Sequence, residues 1–287
     1  MQNGHVLTKE AVAVLLGERK RNSSKGDHGR GLLIAGAPGM TGAAVMSATA
    51  ALRAGAGTLK VVTTLAGVEA LRLLPEAMTV SFRSNTWADC TGEFLAPYFQ
   101  EATALCAGPG LGRDNGARAV AEQTLGAGKP TVLDADGLFA LAQTQQKERI
   151  LHKNVVLTPH FGEMARLTGL EISKIKAEQE AVARECAKKW GCTVLLKGPQ
   201  SVIAAPDGRF AVNATGNAGL AKGGSGDVLS GISLALLCQG LAPFEAACAA
   251  SYLLGASAEE AFALLGERML LARDVTDAIE RTIKNTL

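Results

Sequence analysis

The stretch GLLIAGAPGMTGAAVMSATAALRAGAGTLKVVTT, residues 31–64, contains the first complete pattern of secondary structure in the chain. "GLLIAG" (31–36) predicts a buried strand, and "TGAAVMSATAALRAGAG" (41–57) predicts a helix that is ended by glycines. "TLKVVTT" (58–64) predicts the next strand. A strand, a helix and a strand in this order are typical of the β-α-β unit of a parallel sheet.

Further short apolar runs follow this unit and alternate with longer helical patterns. They are "ATALCAGPGLG" (102–112), "PTVLDADGL" (130–138), "NVVLTPH" (154–160), "CTVLLKGP" (192–199) and "SVIAAPDGRFAVN" (201–213). The last two runs predict a hairpin that turns at Asp207–Gly208. We therefore expect an α/β fold with a predominantly parallel central sheet and helices on both faces, in one domain over residues 1–287.

The composition is that of an ordinary soluble enzyme. Hydrophobic residues make up 47% of the chain, charged residues make up 20%, and the formal net charge is +2. A protein that binds the backbone of nucleic acids usually has a larger basic excess, so we do not expect nucleic acid as a partner. The polar segment 1–26 contains no signal-peptide core, and the apolar run 228–238 is interrupted before it reaches the length of a membrane span. We expect a cytoplasmic protein without a membrane segment.

The cysteines and histidines do not suggest a metal site. The six cysteines, at positions 90, 106, 186, 192, 238 and 248, form no CxxC pair and have no histidine at zinc-ligand spacing. We expect them to be reduced, buried thiols. His160 and Glu163 in "LTPHFGEMARLTG" are two candidate ligands without a third nearby. We assign no metal ligand, and we expect His160 to make hydrogen bonds at the mouth of a site.

Several predicted strands end directly in a cluster of glycine, aspartate, histidine or lysine. Open α/β sheets bind their ligands beyond the carboxyl ends of the strands, so these clusters should meet along one edge of the sheet. Asp134 and Asp136 alternate at strand spacing and should face opposite ways, although one of them could order Mg²⁺-bound water. The clusters are Gly36–Gly42, Gly108–Gly112, Asp134–Asp136, His160 and Lys197–Gly198.

The stretch "NATGNAGLAKGGSGDVLSGI", residues 213–232, combines glycines with one carboxylate and then becomes an apolar helical run. Its glycines let the backbone N–H groups approach an anion, and a helix that begins near Asp227 adds its unpaired N–H groups and its dipole. We expect this field to favour the ionised form of Asp227, which would then accept a proton from a substrate hydroxyl. The pattern equally fits an Asp227 that only caps the helix.

Two common nucleotide-binding motifs and one hydrolase motif are missing from the chain. "GAPGMTGAA" (36–44) follows a strand but does not have the spacing GxGxxG, and no acid ends the second strand. A glycine turn that admits a substrate near Ala43 and an ordinary turn both remain open. The chain has no GxxxxGK[ST], and Ser225 does not lie in a GxSxG frame, which argues against a P-loop protein and a serine hydrolase.

Six motifs in a fixed order carry a resemblance to a known family. They are "KGDHGRGLLIAGAPGMTGAA", "GPGLG", "LDADGL", "LTPHFGEMARLTG", "LLKGPQSVI" and "GNAGLAKGGSGDVLSGI". In this order they resemble the ADP/ATP-dependent NAD(P)H-hydrate dehydratase family, a branch of the ribokinase-like fold. The likeness extends from about Lys25 to "ARDVTDAI" near the C-terminus.

The resemblance implies an enzyme that uses ADP or ATP, with Mg²⁺, to remove water from the S epimer of hydrated NADH or NADPH. It implies that Asp227 is the catalytic base and also contacts the substrate, and that family members assemble as homotetramers. By motif position, Ala43, Gly110 and His160 would contact the hydrated dinucleotide. The adenine nucleotide would be held by Lys197, Gly198, Pro199, Gln200, Ser201, Gly224 and Gly226.

Two positions depart from the pattern of the family. Lys222 occupies a position where a small hydroxyl residue is expected, and it could add positive charge near a phosphate. Phe139 follows "DADGL" where asparagine is usual, which argues against a Mg²⁺-water or phosphate contact there.

Three questions stay open at this point. The fold and the glycine pattern also suit a ribokinase-like vitamin kinase that phosphorylates a small alcohol, or a nucleotide-binding module without catalysis. The small, alanine-rich helical faces late in the chain suit either subunit packing or burial within one subunit. The sequence does not distinguish ADP from ATP, or hydrated NADH from hydrated NADPH.

Overall fold

A computed structural model describes residues 4–145 and 147–287, in which ten strands form one sheet and twelve α-helices surround it. The strands are β1 (His5–Val6), β2 (Arg30–Ile34), β3 (Thr58–Thr63), β4 (Ala77–Ser81), β5 (Ala104–Ala107), β6 (Thr131–Leu133), β7 (Val155–Leu157), β8 (Thr193–Leu196), β9 (Ser201–Ala204) and β10 (Phe210–Asn213). The helices are α1 (Lys9–Leu16), α2 (Thr41–Arg53), α3 (Leu65–Leu71), α4 (Gly92–Glu101), α5 (Asn115–Gly126), α6 (Asp136–Gln143), α7 (Phe161–Thr168), α8 (Ile172–Ala177), α9 (Gln179–Trp190), α10 (Ser225–Cys238), α11 (Pro243–Leu265) and α12 (Ala272–Thr286).

The sheet is predominantly parallel, as the sequence predicts. The strand order is β1-β10-β9-β8-β7-β6-β5-β2-β3-β4, and β9 is antiparallel to both of its neighbours. The predicted hairpin at Asp207–Gly208 joins β9 to β10. A second turn, 197–200, joins β8 to β9, and these two strands are also antiparallel. The sequence predicts one hairpin in this region, whereas the structure contains two successive antiparallel pairings.

Helices cover both faces of the sheet and bury it completely at its centre. Alternate strand residues point to opposite faces, so that Leu33 belongs to the core cluster that includes α2, α10 and α11, while Leu32 and Ile34 belong to the cluster that includes α4, α5 and α7. Because both faces are buried, the sequences of the central strands are continuous apolar runs and do not alternate between apolar and polar residues.

Two edge strands were missed by the sequence analysis. β4 (Ala77–Ser81) is largely exposed at one edge of the sheet, and β1 (His5–Val6) is a two-residue pairing with β10 at the other edge. Neither has the buried apolar run that identifies the central strands, since an edge strand packs against fewer neighbours.

The structure also bears on the cysteines, on the apolar helices and on the alanine-rich faces. All six cysteines are buried, as predicted. Within the described part of the chain, no helix combines the length and the hydropathy needed to cross a membrane. Four alanines of α11, Ala246, Ala247, Ala249 and Ala250, are completely buried within this chain and therefore pack inside the subunit.

Candidate active site

The glycine and aspartate clusters meet at the carboxyl edge of the parallel strands, as predicted. The loop after β2 binds the loop after β5, since the Gly36 and Ala37 N–H groups donate to Gly110 O at 3.2 and 2.7 Å. The loop after β8 binds the end of β6 through Lys197 and Asp134, whose Nζ and Oδ1 are 2.9 Å apart. Sequence motifs from four strands thus form one continuous site.

The glycine-rich stretch of the sequence forms the amino terminus of α10. Gly224 is the N-cap and has φ +100°, a conformation that favours glycine, and an added Cβ there would lie 2.5 Å from Met46 Sδ. Within residues 4–145 and 147–287, none of the backbone N–H groups from Gly223 to Asp227 donates a hydrogen bond of ordinary geometry to a protein acceptor. Unpaired N–H groups at a helix start are suited to bind an anion. We call residues 223–227 the anion site.

Asp227 is the third residue of α10, and its carboxyl group is not the helix cap, because Gly224 occupies that position. The cap interpretation of the sequence is therefore wrong. The expectation that the helix dipole keeps Asp227 ionised also needs correction: burial, followed by the charge of Asp134, raises the pKa of Asp227 from 3.8 to about 7. A carboxyl with a pKa near neutrality is well placed to take up and release a proton.

A charged network that the sequence did not predict lies beside Gly226. Asp134 is almost fully buried, and its two oxygens accept hydrogen bonds from Lys197 Nζ at 2.9 Å and from Ser230 Oγ at 2.8 Å. An added Cβ at Gly226 would lie 3.4 Å from Asp134 Oδ2 and 3.5 Å from Lys197 Nζ. The Lys197 ammonium therefore borders the anion site. Ser230 lies in an ordinary apolar helical run, so nothing in the sequence marked it.

Glu163 completes the network on the side of α7. Its Oε2 is 3.9 Å from Lys197 Nζ and accepts the His160 N–H at 2.8 Å. Burial raises the pKa of Glu163 to about 7, against the opposing effect of Lys197. Burial alone would lower the pKa of Lys197, but Asp134 and Glu163 outweigh it, and the pKa of the ammonium is raised. Lys197 is therefore a fixed positive charge at neutral pH.

His160 is the N-cap of α7 and forms a capping box with Glu163. Its Nδ1 accepts the N–H groups of Gly162 and Glu163 at 2.9 and 3.2 Å, so that a neutral ring carries its proton on Nε2. Burial and the charge of Lys197 lower the pKa of His160, which keeps the ring neutral. The imidazole has 55% of its side chain exposed, and its Nε2 lies 3.5 Å from Glu163 Oε1 and is the ring nitrogen that can donate to a ligand.

Ala43 and Gly110, both predicted to contact substrate, lie next to each other. Gly110 has φ +54°, and an added Cβ would lie 2.5 Å from Met40 O and 3.0 Å from Ala43 Cβ. Ala43 belongs to the first turn of α2. One turn further on, Ser47 Oγ donates to the Asp227 backbone O at 2.9 Å, which joins this part of α2 to the anion site.

The predicted nucleotide-binding residues 197–201 comprise the turn between β8 and β9 and Ser201, the first residue of β9. Gln179 Nε2 fixes the turn by donating to Leu196 O at 3.1 Å and to Gln200 O at 2.9 Å. Gly198 packs against Phe161, whereas Pro199 and Gln200 are exposed. Lys197 is the member of this turn whose contacts reach the anion site.

The two departures from the family pattern have defined partners. Lys222 Nζ donates to Arg268 O at 2.8 Å and to Leu270 O at 2.7 Å, so the structure does not support the expectation that it supplies charge to a phosphate. Phe139 stacks against Arg113, whose Cζ is 4.7 Å from the centre of the ring.

The carboxylates near the site do not form a protein cage for Mg²⁺. Both carboxylate oxygens of Asp134 already accept hydrogen bonds, one from Lys197 and one from Ser230. Asp136 accepts hydrogen bonds from Gly112 N and Arg113 Nε, both at 2.9 Å. The strand alternation expected for Asp134 and Asp136 is wrong, because β6 ends at Leu133, Ala135 has φ +49° and Asp136 is the first residue of α6. In the part of the chain that the structure covers, no three His, Cys, Asp or Glu side chains are grouped as metal ligands.

Comparison with known proteins gives a consistent picture over the whole chain. A family model described as NAD(P)H-hydrate dehydratase matches residues 31–281. The chain is 36% identical to an ADP-dependent (S)-NAD(P)H-hydrate dehydratase of Bacillus subtilis, over 96% of this chain and 97% of that protein. It is 39% identical to a bifunctional NAD(P)H-hydrate repair enzyme of Moorella thermoacetica, over 99% of this chain and 54% of that protein. The chain thus spans about half the length of such bifunctional relatives.

Two solved structures have the same fold. The B. subtilis ADP/ATP-dependent NAD(P)H-hydrate dehydratase, co-crystallised with ATP and Mg²⁺, superposes with a TM-score of 0.86 at 33% identity and covers 99% of both chains. A ribokinase-like superfamily protein of Enterococcus faecalis superposes with a TM-score of 0.85 at 27% identity, over 100% of this chain and 97% of that one. The ribokinase-like fold that the family resemblance implies is therefore confirmed.

Proposed function

Because this chain belongs to the NAD(P)H-hydrate dehydratase family, we propose that it uses ADP or ATP to return the S epimer of hydrated NADH or NADPH to NADH or NADPH. The observation that carries the proposal is the anion site of α10, where unpaired N–H groups surround the partly buried Asp227. A site of this kind combines phosphate binding with proton transfer, and phosphorylation of a hydroxyl requires both.

The first step transfers the terminal phosphoryl group of the nucleotide to the hydroxyl of the hydrated ring. The hydroxyl oxygen forms a bond to phosphorus, the bond from phosphorus to the leaving phosphate oxygen breaks, and Asp227 takes the hydroxyl proton. The N–H groups of Gly224 and Gly226 and the Lys197 ammonium stabilise the negative charge on the phosphoryl oxygens.

The second step removes the phosphate that the first step installed. Hydroxide is a poor leaving group, whereas phosphate leaves readily when the lone pair of the ring nitrogen displaces it. The carbon–oxygen bond breaks, orthophosphate departs, and loss of a proton from the neighbouring carbon restores the double bond of the ring. His160 Nε2–H, Ala43 and Gly110 hold the dinucleotide while this occurs.

We propose that residues 197–201 hold the adenine nucleotide and that Mg²⁺ enters the site on the nucleotide phosphates. Mg²⁺ in nucleotide-dependent enzymes is commonly held by one or two carboxylates together with the phosphates and water. Asp134 and Asp136 are already paired and Asp227 is the proposed base, so we assign no protein ligand to the ion.

Purified protein tested with hydrated NADH or NADPH, Mg²⁺ and either ADP or ATP would decide the proposal. We expect the absorbance of the reduced nicotinamide to return with release of one orthophosphate for each ring repaired. A vitamin kinase would instead release a phosphorylated alcohol, and family membership supports the dehydratase over this alternative. A binding module without catalysis would show nucleotide binding but no recovery of absorbance.

The assembly and location of the protein are further parts of the proposal. We propose a cytoplasmic homotetramer, as the family resemblance implies. Because most alanines of α11 are buried in the subunit, the exposed apolar side chains at the end of α11 and before α12 are better placed to pack between subunits; they are Phe262, Leu264, Leu265, Met269 and Leu271. Light scattering on the purified protein measures the mass of the assembly, and cell fractionation tests the location.

A further inference from the structure

Arg113 follows the glycine loop 108–112 directly and is held in place from two sides. Its Nε donates to Asp136 Oδ1 at 2.9 Å, and its Cζ lies 4.7 Å from the centre of the Phe139 ring. Asp136 is buried and also accepts the Gly112 N–H at 2.9 Å. The guanidinium group is therefore fixed to the loop that carries Gly110.

The outer part of the same guanidinium group is available to a ligand. The Arg113 side chain is 59% exposed. Among residues 4–145 and 147–287, no acceptor takes a hydrogen bond from its Nη1 or Nη2. A planar guanidinium group that is already oriented matches two phosphate oxygens and loses little conformational entropy when it binds them.

Arg113 lies at the rim of the site and not at the place where phosphoryl transfer is proposed. Gly110, three residues earlier, packs against Ala43 at the start of α2. The charges that act most strongly on Asp227 are those of Asp134, Lys197 and Asp136, and Arg113 is not one of them. Its partner Asp136 acts on Asp227 and is buried, whereas the Arg113 side chain is largely exposed.

Two other cations near the site are already engaged, while Arg166, whose charge acts on His160 and Glu163, is an exposed residue of α7. Lys197 is paired with Asp134, and Lys222 donates to two backbone carbonyl groups. His160 is neutral because its pKa is lowered. Both proposed ligands are polyanions, so a cation that is exposed and oriented at the rim has a clear chemical use.

We propose that Arg113 binds a phosphate group of the hydrated dinucleotide and thereby sets the affinity of the enzyme for that substrate. Asp136 and Phe139 act as positioning residues for it. The inference rests on the proposed function, since that function places a dinucleotide against the Gly110 loop. The phosphate is either the pyrophosphate, which both substrates contain, or the 2′-phosphate, which only the NADPH form contains.

Arg113→Gln tests the proposal by steady-state kinetics with each hydrate at saturating nucleotide. A hydrogen bond to a charged group contributes about 1.5–3 kcal/mol, so we expect KM to rise roughly 10- to 150-fold with little change in kcat. A rise for both hydrates identifies the pyrophosphate, and a rise confined to hydrated NADPH identifies the 2′-phosphate. Arg113→Lys, which keeps the charge but loses the planar fork, should give a smaller increase.

Arg184 provides a matched control. It is stacked 4.6 Å from the centre of the Phe210 ring and paired with Glu180 at 2.9 Å, but it lies on α9 and outside the proposed site. Arg184→Gln should leave both KM values unchanged. Thermal melting of all three variants shows whether a change in KM arises from loss of folded protein.

The proposal is wrong if Arg113→Gln leaves both KM values unchanged, or if only the KM of the nucleotide rises. Should the wild-type protein restore no absorbance, the proposed function fails, and calorimetric titration with NADPH then tests Arg113 independently. Binding that is weakened at least about tenfold in Arg113→Gln would still support the phosphate contact. Equal binding by both proteins would refute it.

Discussion

Replacing Asp227 with asparagine should make the folded protein more stable and almost inactive. The substitution keeps the shape of the side chain but removes its negative charge and its ability to accept a proton. Stability and activity should therefore change in opposite directions, as expected where a catalytic group is held in an unfavourable environment.

The size of the stability change follows from the pKa of the carboxyl group. Folding raises the pKa of Asp227 from 3.8 to about 7, which is about 3 pH units or, at 1.36 kcal/mol per unit, about 4 kcal/mol. Between these values the unfolded chain releases the proton and the folded chain keeps it, so wild-type stability falls as pH rises from about 4 to 7. Above pH 7 the folded protein carries the full free-energy cost of keeping the Asp227 carboxylate ionised. We expect Asp227→Asn to gain between about 1 and 4 kcal/mol at pH 8, because the new amide also lacks partners.

Urea unfolding of both proteins at pH 5 and pH 8 measures this difference, and the gain should be larger at pH 8. Asp27 is a suitable control because it is also the third residue of a helical turn, at the opposite edge of the sheet. Hydrogen bonds from Ser24 lower the pKa of Asp27, so Asp27→Asn should lose stability, and the loss should shrink as pH falls through the acid range. Activity of Asp27→Asn should be unchanged.

The kinetic effect of Asp227→Asn should be a fall in kcat of roughly 10²- to 10⁴-fold, the usual range for loss of a general base. In the wild type, kcat/KM should rise with pH through about 7 as Asp227 ionises, and this rise should be absent from the variant. Retained turnover, or a variant that is less stable than the wild type at pH 8, would refute the role given to Asp227.

Further substitutions test the anion site and its surroundings. Gly226→Ala should keep the stability of the protein or increase it by up to about 1 kcal/mol, but it should raise the nucleotide KM because the added methyl group enters the anion site. Gly224→Ala should instead destabilise the protein through backbone strain at φ +100°. Urea unfolding measures the stability of each variant, and steady-state kinetics measure its nucleotide KM. Lys197→Met removes a positive charge that lowers the pKa of Asp227, so the rise of kcat/KM with pH should move above pH 7. An unchanged pH dependence of kcat/KM would argue against an electrostatic effect of Lys197 on Asp227. Gly110→Ala should lower the melting temperature and raise the KM of the hydrate, since φ +54° and the contact with Met40 O exclude a side chain; normal values for both would contradict this.

The sequence was sufficient to predict the arrangement of strands and helices at the centre of the fold and the edge of the sheet where the site lies. Buried parallel strands give continuous apolar runs, and glycines or carboxylates at their carboxyl ends are adjacent in sequence to the strands that position them. For the same reason the position of Gly224, Gly226 and Asp227 at a helix start could be predicted, since the loop and the helix that create the anion site are contiguous in the chain.

The tertiary structure decided which side chains act on one another across that edge. Asp134 lies 63 residues from Lys197 and 96 residues from Ser230, and no period in the sequence relates them. Their contact depends on the strand order, which brings β6 close to β8, and on the packing of α10 against the sheet. The pKa of Asp227 depends on this same packing, because burial and a neighbouring carboxylate are properties of distance in space. The sequence therefore determined which residues stand at the site, and only the folded chain determined their charge and their partners.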